Sequence, residues 1–344
     1  MDVADLDYDL PPHLIAQTPA EARDAARLLV VDRAGDGLAD RTFADLPALL
    51  RPGDCLVVND SRVIPARVMA QTDGGVAVEL LFVEPAAGAR WRSMVKPGRR
   101  CRPGTMLHVG GEEGARVRVI AVEPDGTRLV ARVDGGTLEA LMDAHGVPPL
   151  PPYIARHAKP GPEDDERYQT VYARVPGSIA APTAGLHFTP ALLERLRARG
   201  IEVHPVTLHV GPATFRPMKN PVVEAHRLPA ERATVPHATA RAVAAARADG
   251  RRVIAVGTTV TRTLESAAAG GDLRAMEGAA DLFITPGHRF RVVDGLVTNF
   301  HLPRTTLLVL VAAFAGRERV LAAYAHAVRE GYRFYSYGDA MLIQ

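Results

Sequence analysis

Cysteine is almost missing from this chain of 344 residues: Cys55 and Cys101 are the only two, and they form no CxxC pair. A disulfide framework and a cysteine-type structural zinc site are thereby excluded, and two such thiols fit a reducing compartment. Charge of one sign is not in excess either, with 41 Lys plus Arg against 39 Asp plus Glu. The net of +2 provides no overall polycationic coat, so a nucleic acid partner has to be met by a local patch. Long apolar runs are lacking: the longest, residues 307–315, falls far short of the roughly 20 residues that cross a bilayer. The opening MDVADLDYDLPPHL is acidic where a signal peptide is basic, so the expected location is the cytoplasm. Four catalytic signatures are also missing: GxGxxG after a strand, Walker A, HExxH and GxSxG. Rossmann-type cofactor use and P-loop hydrolysis lose their support with them.

What is present reads as an ordinary globular chain of about twice the usual domain length, with 47% hydrophobic and 23% charged residues. From the start to residue 61 the texture is mixed, with strand-like LLVVD and CLVVND around a helix near 43–50 and an RPGD turn. After Arg62 short runs rich in Val, Leu and Ile (VIPARVMA, VAVELLFVE, RWRSMVK, TMLHVG, ARVRVIAVE, TRLVARVD) are punctuated by DGG, PG, GG and DG turns. That spacing predicts a small β-barrel or sandwich. TLEALMDAHG then reads as a helix closed by Gly146, and PPLPPYI as a stiff linker. Beyond it, strand-like IEVHPVTLHV, RRVIAVGTT and DLFITP alternate with helix-like runs such as TPALLERLRARG, ATARAVAAARADG and RVLAAYAHAVREG. The expected fold class is α/β plus β: a large α/β layered domain, residues 1–61 and 151–344, interrupted by an inserted β-barrel domain, residues 62–150.

Chemistry-bearing residue types gather in loops. RRVIAVG runs into Thr258, Thr259 and a helix with Arg262 one turn in, an arrangement that offers backbone N–H groups to an anion; a simple N-cap is the alternative, and Glu265 can be an i,i+3 partner of Arg262. APTAGLHFT ends at an expected N-cap, Thr189, followed by Pro190, and sets His187 beside Phe188. His187 suits a general acid or base, or is a buried structural residue. TLHVGPATF carries His209 at a strand end; His204, five residues earlier, points to the opposite face, a poor geometry for a shared metal, and no metal site is expected. In VTNFHLPRTT, Asn299 and His301 have the hydrogen-bonding groups to meet a base or ribose, unless Asn299 only turns the chain. KPGRRCRPG, residues 96–104, is a basic cluster that suits phosphates or is a solvated hairpin tip.

Taken together and in order, NDSRVIPAR, PPYI, YQTVYA, AAPTAGLHFT, VTLHVGPATF, VIAVGTT with TLESAA, VTNFHLP and YRFYSYGDAMLI closely resemble the S-adenosylmethionine:tRNA ribosyltransferase-isomerases of queuosine biosynthesis. The resemblance runs nearly end to end and implies an enzyme that uses S-adenosylmethionine as a ribosyl donor. The pentose is moved and isomerised onto the aminomethyl group of 7-aminomethyl-7-deazaguanine at the wobble position of tRNA, giving epoxyqueuosine with release of adenine and methionine. The donor is then a consumed substrate, and no cofactor is expected. The family architecture, a large α/β domain with an inserted β-barrel, agrees with the texture change at Arg62. The sequence departs from the family at Ala213, where Gly is more usual, and at Pro229, where His is expected.

Carried onto matching positions, the resemblance implies that His187 and His209 share proton handling, with His301 third. Thr258, Thr259 and Arg262 are expected to meet the methionine carboxylate, and Thr183, Gly185, Gly211, Gly257 and Asn299 to complete the S-adenosylmethionine site. Phe188, Phe215 and Phe300 are expected to stack bases, with core packing as the alternative. Arg62, Arg67, Lys96, Arg99, Arg100 and Arg102 are expected to contact tRNA, laid across the groove between the domains and bearing a GUN anticodon. A monomer is expected. Two rival classes stay open on residues alone: an S-adenosylmethionine-dependent RNA methyltransferase and a non-catalytic tRNA-binding protein.

Overall fold

The structure, a computed structural model, describes residues 1–35, 37–111, 113–156, 160–212, 218 and 220–344. Its contacts divide the chain into two units, one of Met1–Ser61, Gln169–Val175 and Ala181–Gln344, the other of Arg62–Tyr168 and Pro176–Ala180.

In the first unit the apolar pattern of the short strands decides the layering. Cys55–Asn59, Val253–Val256 and Gly295–Asn299 are buried at every position, as strands covered on both faces must be. Alternate residues feed two cores. Cys55, Val57, Val253 and Ala255 pack with Val243 and Ala246 of the helix His237–Ala248 and with Val260 and Leu264 of Thr258–Ala267. Leu56, Val58, Ile254 and Val256 pack on the other face with Phe43, Phe188, Leu192 and Leu196. Among the described residues nine strands form this sheet, in the order Met276–Ala280, Glu231–Val235, Glu202–Leu208, Cys55–Asn59, Val253–Val256, Gly295–Asn299, Ala340–Ile343, Arg27–Val31 and Leu38–Thr42. The block from Glu202–Leu208 to Gly295–Asn299 is parallel. Ala340–Ile343 runs antiparallel to Gly295–Asn299 and parallel to Arg27–Val31. DLFITP, expected as a strand, is not one: the strand is Met276–Ala280 just before it, and Ile284 is anchored in the core from an irregular segment.

The second unit is a closed antiparallel barrel. Its strands follow the order Arg67–Thr72, Ala77–Ala86, Arg90–Lys96, Arg128–Arg132, Ala115–Val122 and Met106–Val109. Pairing of Gln71 with His108 and Thr72 with Leu107 returns the last strand to the first, which removes the edges. Val68, Leu80, Phe82, Leu107, Val117 and Val130 fill the interior, and Leu138, Leu141 and Met142 of the helix Leu138–His145 join them. The barrel unit extends past the expected boundary at residue 150. PPLPPYI, expected as a stiff linker, is instead packed into the unit: Leu150 and Ile154 are fully buried, and the Leu150 carbonyl accepts a bond from Arg67 Nη2 at 3.2 Å.

Candidate active site

Two neighbouring parallel strands of the first unit, Val253–Val256 and Gly295–Asn299, end at the same edge of the sheet, where ligands of open α/β sheets characteristically bind. One cavity there is lined by Pro182, Thr183 and Ala184, by Gly257, Thr258 and Thr259, and by Thr298, Asn299 and His301, with Val210 and Leu307 as apolar wall. Gly257, at φ 94°, turns strand into helix in a conformation that other residues adopt at a cost. It also occupies the N-cap position, so neither Thr258 nor Thr259 is the cap. The first-turn N–H groups of Thr258 and Thr259 precede the first intrahelical bond, from Thr261 N to Gly257 O at 3.2 Å. Thr259 Oγ1 is steadied by Asn59 Nδ2 at 3.4 Å, and Asn59 Oδ1 in turn accepts from Leu208 N and Ser61 N. NDSR thus orders this floor from a strand some two hundred residues away in sequence.

The Asn299 amide organises the next layer. Its Nδ2 donates to the Tyr335 carbonyl at 3.2 Å and to the Asp339 carbonyl at 3.4 Å, and lies 3.1 Å from His187 Nε2. Two carbonyls can only accept, which fixes the nitrogen on that side. His187 is buried beside this amide. Burial, with the Arg333 and Arg23 charges nearby, lowers its pKa to about 4. Tyr335 reaches this position at φ 76°, an uncommon conformation for a bulky residue and one that concentrates at functional sites. His301 is likewise buried, its Nε2 2.9 Å from Thr298 Oγ1, and desolvation lowers its pKa to about 3. His209 differs: its Nδ1 is buried with no partner among the described residues, and desolvation followed by Arg232 lowers its pKa to about 4. No three His, Cys, Asp or Glu side chains gather in metal-binding geometry among the described residues.

The family model described as "Queuosine biosynthesis protein" matches residues 3–343. The chain belongs to that family. As a queuosine biosynthesis protein it is 54% identical to the S-adenosylmethionine:tRNA ribosyltransferase-isomerase of Moorella thermoacetica, over all of both chains. It is also 54% identical to the protein of that name from Thermus thermophilus, over 98% of each chain. Among solved structures it resembles the S-adenosylmethionine tRNA ribosyltransferase of Thermotoga maritima at 37% identity and TM-score 0.57, covering 99% of this chain and 100% of that one.

Several expected site residues take other work in this queuosine biosynthesis protein. Arg262 does not line the cavity beside Thr258: its Nη1 is ion-paired with buried Glu231, while Nη2 and Nε donate to the carbonyls of Ala280 and Leu282. Glu265 does not pair with Arg262; it accepts from the N–H groups of Arg291, Val292 and Val293 at 2.9–3.1 Å. Phe188 and Phe300 are fully buried, the first against Phe43 and Tyr172, the second among Tyr324, Tyr332 and Phe334, so neither presents a face for stacking. Phe215 and Ala213 lie outside the described residues. Gly185 is packed so that a Cβ would lie 2.2 Å from Tyr172 Oη, and Gly211 donates its N–H to Glu231 at 2.8 Å. In the barrel unit Arg67 is buried, 3.7 Å from Glu79, and unavailable to RNA. Arg62, Lys96, Arg99, Arg100 and Arg102 are exposed, the last four along one loop.

Two residues escaped the sequence reading. Asp60 is buried and accepts from Thr207 Oγ1 at 2.6 Å and from Arg174 at 2.8 and 3.2 Å, while the Arg174 side chain remains 71% exposed. The Asp in NDSR and the Arg after YQTVYA were the available signals, but nothing in either motif ties one to the other.

Proposed function

We infer that the chain is an S-adenosylmethionine:tRNA ribosyltransferase-isomerase of queuosine biosynthesis. The observation that carries this is identity of 54% along the whole chain to proteins bearing that name. The pentose of S-adenosylmethionine goes to the aminomethyl group of 7-aminomethyl-7-deazaguanine at the tRNA wobble position, in tRNAs with a GUN anticodon. Adenine and methionine leave, so the donor is a consumed substrate and not a cofactor. No described helix is long and apolar enough to cross a membrane, and we place the enzyme, as a monomer, in the cytoplasm with its tRNA.

The donor sulfonium acidifies the ribose C5′ hydrogens, and a neutral imidazole is suited to remove one. Of the three histidines in the family loops, we assign this to His209. Its lowered pKa keeps it unprotonated at neutral pH, and its Nδ1 has no partner to displace. His187, whose Nε2 lies 3.1 Å from Asn299 Nδ2, acts as a positioning residue, and His301 lines the cavity with its Nε2 held 2.9 Å from Thr298 Oγ1. Thr183, Thr258 and Thr259 supply polar wall to the donor. Lys96, Arg99, Arg100, Arg102 and Arg62 are the proposed tRNA phosphate contacts.

The test is incubation of the purified protein with S-adenosylmethionine and tRNA bearing the aminomethyl-deazaguanine, following adenine release and the mass of the wobble nucleoside. Adenine with a pentose-derived mass gain is expected, and His209→Ala should lower the rate about 10²- to 10⁴-fold. S-adenosylhomocysteine would instead identify a methyltransferase. Tight tRNA binding without donor consumption would identify a binding protein. A near-wild-type rate in His209→Ala would return the base role to His187.

A further inference from the structure

Among the described ion pairs whose carboxylate is buried, one cation stays in water. The partners of Asp54, Asp164, Glu231 and Glu265 are covered with them: the side chains of Arg252, Arg156, Arg262 and His288 are 7–27% exposed. Arg174, 2.8 Å from buried Asp60, is 71% exposed. An ion pair with one partner in solvent gains little to offset the desolvation of the other, so stability alone does not account for it. Its geometry points instead to aim. The Asp60 carbonyl accepts from the N–H groups of Arg174 at 2.8 Å and Val175 at 3.1 Å, while its Oδ2 accepts from Arg174 Nη2 at 2.8 Å and Nε at 3.2 Å. Thr207 Oγ1 donates to the second carboxylate oxygen at 2.6 Å and fixes the carboxylate in turn. One edge of the guanidinium is thus held, and Nη1 with its two N–H groups has no partner among the described residues. The pair sits at the edge of the sheet that carries the cavity. Asp60 follows Asn59, which steadies Thr259, and its charge reaches His209, where it opposes the lowering of the pKa by burial.

We propose that Arg174, aimed by Asp60, clamps a backbone phosphate beside the wobble nucleotide of tRNA and so sets the acceptor base over the site. This rests on the functional reading above and gives the acceptor a fixed contact within the α/β unit. The substrates bring two kinds of anion, a carboxylate on the donor and phosphodiesters on the RNA. A solvent-facing fork of N–H groups suits a phosphodiester, which stays at the surface while its base is turned inward. Arg174 then touches the substrate, and Asp60 is a positioning residue.

The experiment measures tRNA binding by the wild type, Arg174→Ala, Arg174→Lys and Asp60→Asn, with the anticodon-loop phosphates replaced one at a time by neutral methylphosphonates. One replacement should weaken wild-type binding about 10- to 100-fold, as for hydrogen bonds to a charged group, and leave Arg174→Ala within about twofold. On unmodified tRNA, Arg174→Ala should lower the slope of log binding constant against log salt by about 0.7, the share of one single-strand phosphate. Arg174→Lys keeps the charge without the fork, and should restore that slope but only part of the affinity. Asp60→Asn should reduce the coupling to an intermediate value. S-adenosylmethionine should bind the wild type and both Arg174 variants alike. The proposal is overturned if no methylphosphonate distinguishes the wild type from Arg174→Ala, or if Arg174→Ala weakens donor binding and spares tRNA. Full coupling in folded Asp60→Asn overturns the positioning role. Coupling in a wild type that releases no adenine overturns the enzymatic reading and leaves the clamp, whereas adenine release without coupling overturns the clamp alone. A wild type that binds no tRNA overturns both.

Discussion

His187 and His301 enter the interior uncharged, with pKa values lowered by burial to about 4 and about 3. In the unfolded chain both titrate near 6.5, so on acidification the unfolded state takes up protons first. Their contribution to stability is complete above that pH and declines below it, by about 1.4 kcal/mol per pH unit for each histidine until the folded value is reached. The denaturant midpoint should therefore fall between pH 7 and pH 5, and His301→Gln should flatten that slope by one histidine's share. Taking the difference between wild type and variant cancels the carboxylates, including Asp339, whose pKa burial raises. An equal slope in both proteins would place His301 in a solvated setting. The motif histidines were visible as residue types, and two of the three were brought to one layer of the structure by the Asn299 amide and the adjoining strand end. The orientation of the Asn299 amide was not legible, because it depends on backbone carbonyls at Tyr335 and Asp339, which carry no side-chain signal.

At the level of elements, the helix Thr258–Ala267 is expected from its sequence to turn Arg262 to the donor carboxylate, with Glu265 as its i,i+3 partner. It is instead buried from Thr258 through Glu265, and its two ions fasten it from inside: Arg262 to Glu231 and two carbonyls, Glu265 to three consecutive N–H groups. Charges on a short helical run read as a surface face, and only the tertiary partners reveal otherwise. Arg262→Ala strands a buried carboxylate and should cost about 3–5 kcal/mol, read from the denaturation midpoint. The double variant Arg262→Met, Glu231→Gln should recover part of it. The Michaelis constant for S-adenosylmethionine should stay near wild type in the folded fraction of Arg262→Ala; a large rise would restore Arg262 to the donor site. The barrel strands and the central strands of the large sheet were legible from dense Val, Leu and Ile between turn signals. Glu231–Val235 and Met276–Ala280 were not, since ERATV and MEGAA pair at one flank of the sheet with too few large apolar residues to show a pattern.

Across the molecule, a net charge of +2 leaves RNA binding to local clusters. Lys96, Arg99, Arg100 and Arg102 have no carboxylate partner among the described residues, unlike buried Arg67 or the Arg92 side chain held by Glu84 and Asp125. Replacing all four by Gln should reduce the slope of log binding constant against log salt by about 3, at roughly 0.7–0.9 per phosphate contact. An unchanged slope would remove the cluster from the interface. The division into α/β and barrel units was readable because their punctuation differs, whereas the far boundary was obscured by prolines that suggested a linker where Leu150 and Ile154 are core. The sheet order carries a consequence for folding. Cys55–Asn59 waits for partners made some 150 and 200 residues later, and Arg27–Val31 pairs with Ala340–Ile343. The two carbonyls that orient Asn299 belong to Tyr335 and Asp339, just before the strand Ala340–Ile343. The cavity beside Asn299 is therefore assembled from segments far apart in sequence, and it takes shape only when the long-range strand pairs of the large sheet have formed.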